Sequence, residues 1–524
     1  MGLKKRFLKQ KLATIHQTPP KPLNEEKIQS SNDPQCSVTE FPLMYRSEEH
    51  FNLAYRIYDD FITRINLEEE MTPKRIREAL GELLNHYTID NPTFKEEVIR
   101  FVIASITGYG PLTLIMECMG EDLNDIIVNT KDYIDVIYDG KTIPTPYRFR
   151  SEEELRLIID RMLTNSNRKV DESNPIVSAK LPDGSRFEVQ IPPIAANLDA
   201  EGKPGSYVTI RKFRQIPFLF ENLIDSGQID LKMAYFIIKA IEGRLNIVIS
   251  GGTSSGKTTF LNALTRFIDE LDQVIIIEDT KEIRPQLPCR AVRSFETRVA
   301  NIEGRGEITT SELLRTALRS SPRRIIVGEC RGPEIVVMLN AMNTGHPGSM
   351  TTIHADDTKE AIVRIENMYL EARPTANILF IRSQIVSAID LIIQLERFPD
   401  GKRRVVKISE PEKRIEDNGV ISMLDIFEYE RIRREEDFMD SHGVHKVVAP
   451  PLRALHKIAK NGVEIDQRIF QPDFEMNKNM LINELLKYPP SKMCGWKAEY
   501  MGKIIKETFV NGFSVVDRWP NLKG

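Results

Sequence analysis

The sequence predicts an α/β domain with a parallel-rich sheet, preceded by a smaller α+β domain. Three observations carry this expectation. Four short apolar runs, at 246–249, 274–277, 325–327 and 350–353, alternate with stretches of helical period. Runs that are apolar throughout, rather than at every second position, suit parallel strands buried on both faces. Upstream, extended runs separated by Asp139-Gly140 and by Pro182-Asp183-Gly184 suit hairpins. The run ending at Ile249 leads into a glycine-rich loop that opens a helix whose apolar face is Phe260, Leu261, Leu264, Phe267 and Ile268.

The 524 residues are too many for one core, because domains usually hold roughly 100–200 residues. With 41% hydrophobic and 28% charged residues, most of the chain can fold as a globule. A net charge of −4 gives no reason to expect nucleic acid as a partner. The five cysteines are scattered, odd in number and without a CxxC pair, which argues for inert thiols in a reducing compartment. No apolar stretch approaches the roughly 18–20 residues that span a bilayer. The basic start is not followed by the apolar run of a signal peptide. The expectation is a cytoplasmic protein, brought to a membrane through a partner.

Taken in order, residues 1–47 read as a flexible tail and 48–106 as a helical segment, with Phe94, Val98, Phe101, Val102 and Ile106 at helical spacing. Gly108-Tyr-Gly-Pro-Leu112 breaks that helix. The α+β domain is assigned to 107–225, with a helix over 152–163, and the α/β domain to 226–440. Within the latter, Asp400-Gly-Lys-Arg-Arg404 suits a hairpin. Residues 441–524 are set aside as a C-terminal extension of mixed composition.

Gly251, Gly252, Thr253, Ser254, Ser255, Gly256, Lys257 and Thr258, with Thr259 beside them, fit the pattern G-x-x-x-x-G-K-[ST]. Small residues let backbone N–H groups wrap phosphates, and a helix N-terminus adds partial positive charge. Lys257 is placed on the β and γ phosphates of ATP and the Thr258 hydroxyl on Mg²⁺.

Acids end the neighbouring apolar runs: Glu278 and Asp279 after 274–277, and Glu329 after 325–327. Ligand chemistry in open α/β sheets sits beyond the carboxyl ends of strands. Glu329 is assigned to Mg²⁺, directly or through water, and Glu278 to the attacking water, with Asp279 and Glu282 in support. The sequence leaves these two roles exchangeable. Two of only eight histidines, His346 and His354, fall within nine residues. His354 ends the fourth run and so joins the acids. A neutral imidazole there can bond a γ-phosphate or hold a glutamate. No cysteine or third histidine lies close in sequence to support zinc.

Together these motifs resemble the type II/IV secretion ATPases. The order is a Walker A at 251–258, an "Asp box" at 277–283, a Walker B at 326–329 and a "His box" at 344–355. Ile326-Val-Gly-Glu-Cys-Arg-Gly332 is close to the CpaF/TadA branch, which powers Flp (tight-adherence) pilus assembly and usually has Val where Cys330 stands. Asp125-Ile-Ile-Val-Asn129, Leu181-Pro-Asp-Gly-Ser-Arg186 and Val208-Thr-Ile-Arg-Lys-Phe213 extend the likeness upstream. Two departures are Pro322-Arg323-Arg324, where the family usually reads Pro-Asp-Arg, and the last fifty residues.

The resemblance implies a RecA-like ATPase domain behind a PAS-like domain, a homo-hexamer and ATP held between the two domains. It also implies that Arg211, and Arg186 with it, approach the phosphates. The reading is an ATP-hydrolysing motor for pilus assembly or secretion that works on a polytopic inner-membrane platform protein. A conjugative or type IV secretion ATPase, a nucleotide-gated scaffold without turnover and a DNA translocase are the alternatives, the last disfavoured by the acidic balance.

Overall fold

Buried apolar side chains gather into three clusters, one between residues 44 and 210 and two on opposite faces of a sheet between 219 and 485. In this computed structural model the described residues are 41–65, 71–120, 123–138, 141–164, 166, 168–213, 218–300, 305–415, 420–432 and 442–488, with Phe509–Val510 paired to Phe513–Ser514. The chain divides into two units, Met1–Gln215 and Ile216–Gly524.

In the first unit four helices, α1 (Glu48–Arg64), α2 (Pro73–Leu84), α3 (Pro92–Thr107) and α4 (Pro111–Met119), precede β1 (Leu123–Thr130), β2 (Tyr133–Tyr138) and β3 (Lys141–Thr145). Then come α5 (Glu152–Leu163), β4 (Ile176–Lys180), β5 (Arg186–Gln190) and β6 (Tyr207–Arg211). Starts are marked by side-chain caps: Ser47, Thr72, Asn91 and Ser151 each accept an N–H from the first turn of their helix. The sheet order is β3-β2-β1-β6-β5-β4, antiparallel throughout. Tyr138 pairs with Lys141 around the expected Asp139-Gly140 turn, whose two residues lie outside the described ones.

Two differences from the sequence reading appear here. Met44 and Tyr45 are buried in the core, so the expected tail of 1–47 ends in packed structure. Residues 1–40 lie outside the described residues. The helical segment 48–106 is not separate, since its Phe94, Val98 and Phe101 share one core with Ile126 and Val208 of the sheet. That burial also accounts for the apolar character of α3 and α4, which meet at a 115° bend. No single described helix is long and apolar enough to cross a membrane.

The second unit opens with α6 (Phe220–Asp225), α7 (Leu231–Glu242), β7 (Ile247–Gly251), α8 (Lys257–Leu264), β8 (Val274–Glu278) and β9 (Val292–Glu296). It continues through α9 (Thr310–Leu318), β10 (Arg324–Val327), α10 (Glu334–Asn343), β11 (Met350–Ile353), α11 (Thr358–Ala372) and α12 (Ile378–Ala388). Last come β12 (Leu391–Arg397), β13 (Arg403–Ile415), β14 (Ile421–Arg431), β15 (Gly443–Val447), α13 (Arg453–Lys460) and α14 (Lys478–Leu485).

Nine strands run in the order β15-β14-β13-β12-β7-β11-β10-β8-β9. The six from β12 to β9 are parallel, and β13, β14 and β15 continue antiparallel. Alternate residues of one strand serve opposite cores. Ile247 and Ile249 face α6, α7 and α8, whereas Val248, Ile275 and Val327 face α9, α10, α11 and α12. This double burial is why the runs are apolar at every position.

Polar groups set the strand register at the end remote from the glycine-rich loop. Asn246, 2% exposed, accepts the N–H groups of Gly348 and Ser349 and donates to the carbonyls of Met342 and Ala388. Arg324, 1% exposed, bonds Asp272 at 2.8 Å and the Ile241 carbonyl at 3.0 Å. A Cβ on Gly348 would sit 2.9 Å from the Arg324 Cζ, so glycine is required there. The buried, paired cation under the sheet is thus the last residue of Pro322-Arg323-Arg324, which matches the family's usual arginine, whereas the departing residue, Arg323, is exposed.

The expected C-terminal extension is in fact structural as far as residue 488. β15 joins the sheet, and Ala454, Ile458, Leu481 and Leu485 pack into the α7 and α8 face. Lys239 on α7 bonds Glu484 on α14 at 2.8 Å, and Arg266, buried in its pair with Glu221, also donates to the Tyr488 carbonyl.

Removing one partner of a buried ion pair leaves an uncompensated charge. Asp272→Ala, which strands Arg324, is expected to cost about 3–5 kcal/mol in urea unfolding.

Candidate functional site

β7 is buried along its length and delivers the chain to a loop that only glycine can begin. A Cβ on Gly251 would lie 2.5 Å from the Leu395 carbonyl oxygen and 2.6 Å from the Ser255 hydroxyl. Gly256 then takes φ +90°, a left-handed conformation that starts α8 at Lys257. Ser255 is buried and bonds the Gly252 carbonyl, Gly252 and Thr258 are half-buried, and Thr253, Ser254 and Thr259 are exposed.

The Lys257 ammonium donates to the carbonyls of Gly251 and Gly252, each at 2.9 Å, and lies 3.3 Å from His354 Nδ1. An ammonium has no acceptor, so Nδ1 accepts and the imidazole proton belongs on Nε2. That Nε2 is 3.0 Å from Glu329 Oε1, within ion-pair distance though off the line of a full hydrogen bond. The Glu329 Oε2 accepts from Arg331 at 2.7 Å. Burial, and then the Lys257 charge, hold His354 below its ordinary pKa. Burial likewise lowers Lys257, against the pull of Glu329.

The register of the sheet assembles these groups. Ile353 on β11 pairs with Ser250 on β7, and Met350 with Ile326 on β10, so all strands end on one side. The residue after His354 is pinned twice, the Ala355 carbonyl accepting from Gln394 at 3.0 Å and from Ser250 at 3.4 Å.

Glu278 ends β8 and is 6% exposed. Its Oε1 accepts the N–H groups of Glu282 and Ile283, both at 2.9 Å, which folds the acidic loop back on the strand. Its Cγ lies 2.9 Å from where a Cβ on Gly328 would stand. Gly328, the residue before Glu329, therefore packs directly against Glu278. Asp279 accepts from Thr310 at 3.1 Å and lies 3.8 Å from Arg331.

Of the expected site residues, Lys257, His354 and Glu329 lie against one another, and Glu278 ends the strand beside that of Glu329. His346 does not join them. Its Nδ1 bonds the Pro322 carbonyl at 3.0 Å, beside the N-terminal ends of β10 and β11. The four residues of β11, at about 3.3 Å each, put it on the opposite side of the sheet from His354.

Arg186 and Arg211 belong to the first unit, where they are direct cross-strand neighbours on β5 and β6. Asp125 is the opposite neighbour of Arg211, at 3.8 Å. Burial raises the Asp125 pKa and Arg211 opposes the shift.

Sequence reasoning missed three contributors. Gly328 and Arg331 lie inside a motif it quoted without giving them a role. Arg403, which donates to the Ser254 carbonyl at 3.1 Å, is 149 residues away in the chain and leaves no local signal. Cys330 is buried, with its thiol pushed up by that burial, and suits packing rather than chemistry.

Among the described residues, no group of three or more His, Cys, Asp or Glu side chains forms a self-contained metal site. A hydroxyl at Thr258 and a carboxylate at Glu329 fit Mg²⁺, which takes few protein ligands and completes its shell with phosphate oxygens and water.

A family model described as "Type II/IV secretion system protein" matches residues 111–444. The chain is 30% identical over 317 residues to a putative conjugal transfer protein of Mycobacterium tuberculosis, which covers 59% of this chain and 86% of that one. It is 37% identical over 239 residues to the probable conjugal transfer protein TrbB of Sinorhizobium fredii, covering 45% and 67%. To the type IV secretion system protein VirB11 of Bartonella henselae it is 29% identical over 355 residues, covering 60% and 94%.

Gly328→Ala pushes a methyl group into Glu278. The overpacking is expected to cost about 1–3 kcal/mol in urea unfolding.

Proposed function

We propose, since this chain belongs to the type II/IV secretion system protein family, that it hydrolyses ATP as the motor of a pilus-assembly or secretion machine. The observation that carries the reading is the run of contacts from Lys257 through His354 to Glu329. A P-loop lysine, a neutral imidazole and a strand-end carboxylate lie within about one triphosphate of each other, which phosphoryl transfer needs for positioning and charge neutralisation.

In the proposed mechanism the phosphates enter the loop 251–258, and the Lys257 ammonium exchanges the Gly251 and Gly252 carbonyls for β and γ oxygens. Mg²⁺, when bound, would offset the charge of those oxygens, with Thr258 and Glu329 to hold it. His354 keeps Glu329 turned toward the lysine. Glu278 accepts a hydrogen bond from the attacking water and so orients it. As the water oxygen bonds to the γ-phosphorus, the bond to the β–γ bridging oxygen breaks, ADP leaves, and the water's proton passes to the released phosphate. A homo-hexamer working on an inner-membrane platform protein, and the Flp/Tad pilus branch in particular, are part of the proposal. They rest on the Ile326-Val-Gly-Glu-Cys-Arg-Gly332 signature and the motif order.

A second reading, a motor for conjugative transfer, draws support from the relatives named for that process. Identifying the membrane protein that co-purifies with the chain separates the two.

The test is phosphate release by the purified chain with Mg²⁺ and ATP. Lys257→Ala is expected to abolish turnover through lost nucleotide affinity. Glu278→Gln retains an oxygen for the Glu282 and Ile283 N–H groups. It should therefore keep nucleotide bound while slowing hydrolysis by about 10²-fold or more. Glu329→Gln should instead raise the Mg²⁺ concentration needed. Parental rates in Glu278→Gln would return the water-orienting role to Glu329, and no turnover in any condition would leave a scaffold.

A further inference from the structure

We propose that Arg331 is a positioning residue of this site, holding the carboxylates of Glu329 and Asp279 together so that the other oxygen of Glu329 faces His354. The inference rests on the ATP-hydrolysis reading above and adds a residue that the reading does not use. Arg331 Nη2 donates to Glu329 Oε2 at 2.7 Å, and Nη1 lies 3.8 Å from Asp279 Oδ2. One guanidinium therefore spans the ends of β10 and β8. Without it, two acids that close two neighbouring parallel strands would face each other across the site with their repulsion uncompensated.

The backbone behind Arg331 is fixed on both sides. The N–H of Cys330 donates to the Thr352 carbonyl at 2.9 Å. The Glu334 carboxylate, at the start of the buried helix α10, accepts the N–H groups of both Arg331 and Gly332. The guanidinium thus leaves a rigid base, and the Glu329 side chain is held from two directions, by Arg331 on Oε2 and by His354 near Oε1. The competing explanation is a surface ion pair. Arg331 is 65% exposed, and pairs at that exposure contribute little to stability. That weakness makes the test clean, because removing the side chain leaves the fold in place.

The experiment compares steady-state ATP hydrolysis and thermal unfolding of the full chain with those of Arg331→Ala, Arg331→Lys and Asp279→Asn. Arg331→Ala is expected to lower kcat at least about tenfold, with KM for ATP within about threefold. Its unfolding midpoint should stay within about 2 °C of the parental value. Arg331→Lys, which restores a charge but not the two-armed geometry, should recover part of the rate. Arg331→Ala combined with Asp279→Asn should lose less than the product of the two single losses. A kcat within twofold of parental in Arg331→Ala overturns the positioning role, and so does a rise in KM with kcat unchanged. A loss of fold in Arg331→Ala that Arg331→Lys repairs, with kcat also fully restored, assigns the residue to structure and overturns it as well. Absence of turnover in the parental protein overturns the hydrolysis reading, whereas parental turnover with an indifferent Arg331 overturns this inference alone.

Discussion

Parallel pairing of β7, β11, β10 and β8 is the constraint from which the site follows. Parallel strands end on one side of their sheet, so four segments spread over about a hundred residues deliver Lys257, His354, Glu329 and Glu278 to one edge. The register is held at the opposite edge. There Asn246 ties β7 to the segments entering β11 and leaving α12, and Arg324 ties β10 to Asp272 and α7. A slip of one residue in this sheet would turn every side chain to the other core and move each strand-end group by about 3.3 Å, enough to break the contacts around His354.

The site itself is a balance of charges in partial burial. Lys257 and Arg331 oppose Glu329, Glu278 and Asp279, with His354 neutral between the lysine and Glu329. Burial disfavours charge on both Lys257 and His354. The arrangement is therefore favourable to a ligand that carries its own strong negative charge, which restores the advantage of a protonated Lys257. Placement of the glutamates divides their work. Glu278 shapes the loop after β8 through Glu282 and Ile283, and Glu329 touches the histidine.

Much of this was legible in the sequence because its physics is local. Continuous apolar runs announced strands buried on both faces, and the loop 251–258 was readable because only glycine tolerates the Leu395 carbonyl and the turn at Gly256. The helix over 152–163 begins directly after the N-cap Ser151. What was missed depends on distance through space. His346 and His354 are close in sequence, yet a strand lies between them, and a strand separates its ends by its full length. Arg403 comes to the loop from the far side of a hairpin. α13 and α14 are only eight residues long, with two or three buried side chains each, so each covers little more than two turns. Met44 and Tyr45 end an apolar run, 41–45, too short to show either a helical or a strand period.

The claim beneath the rest is that one triphosphate bridges the ends of four parallel strands. An experimental structure of the full chain with Mg²⁺ and a non-hydrolysable ATP analogue tests it most directly. The account predicts β and γ phosphates within hydrogen-bond reach of Lys257 Nζ, with the cation between Thr258 and Glu329 and His354 at the γ-phosphate side. An analogue bound elsewhere, with Lys257 still on the carbonyls of Gly251 and Gly252, would contradict it.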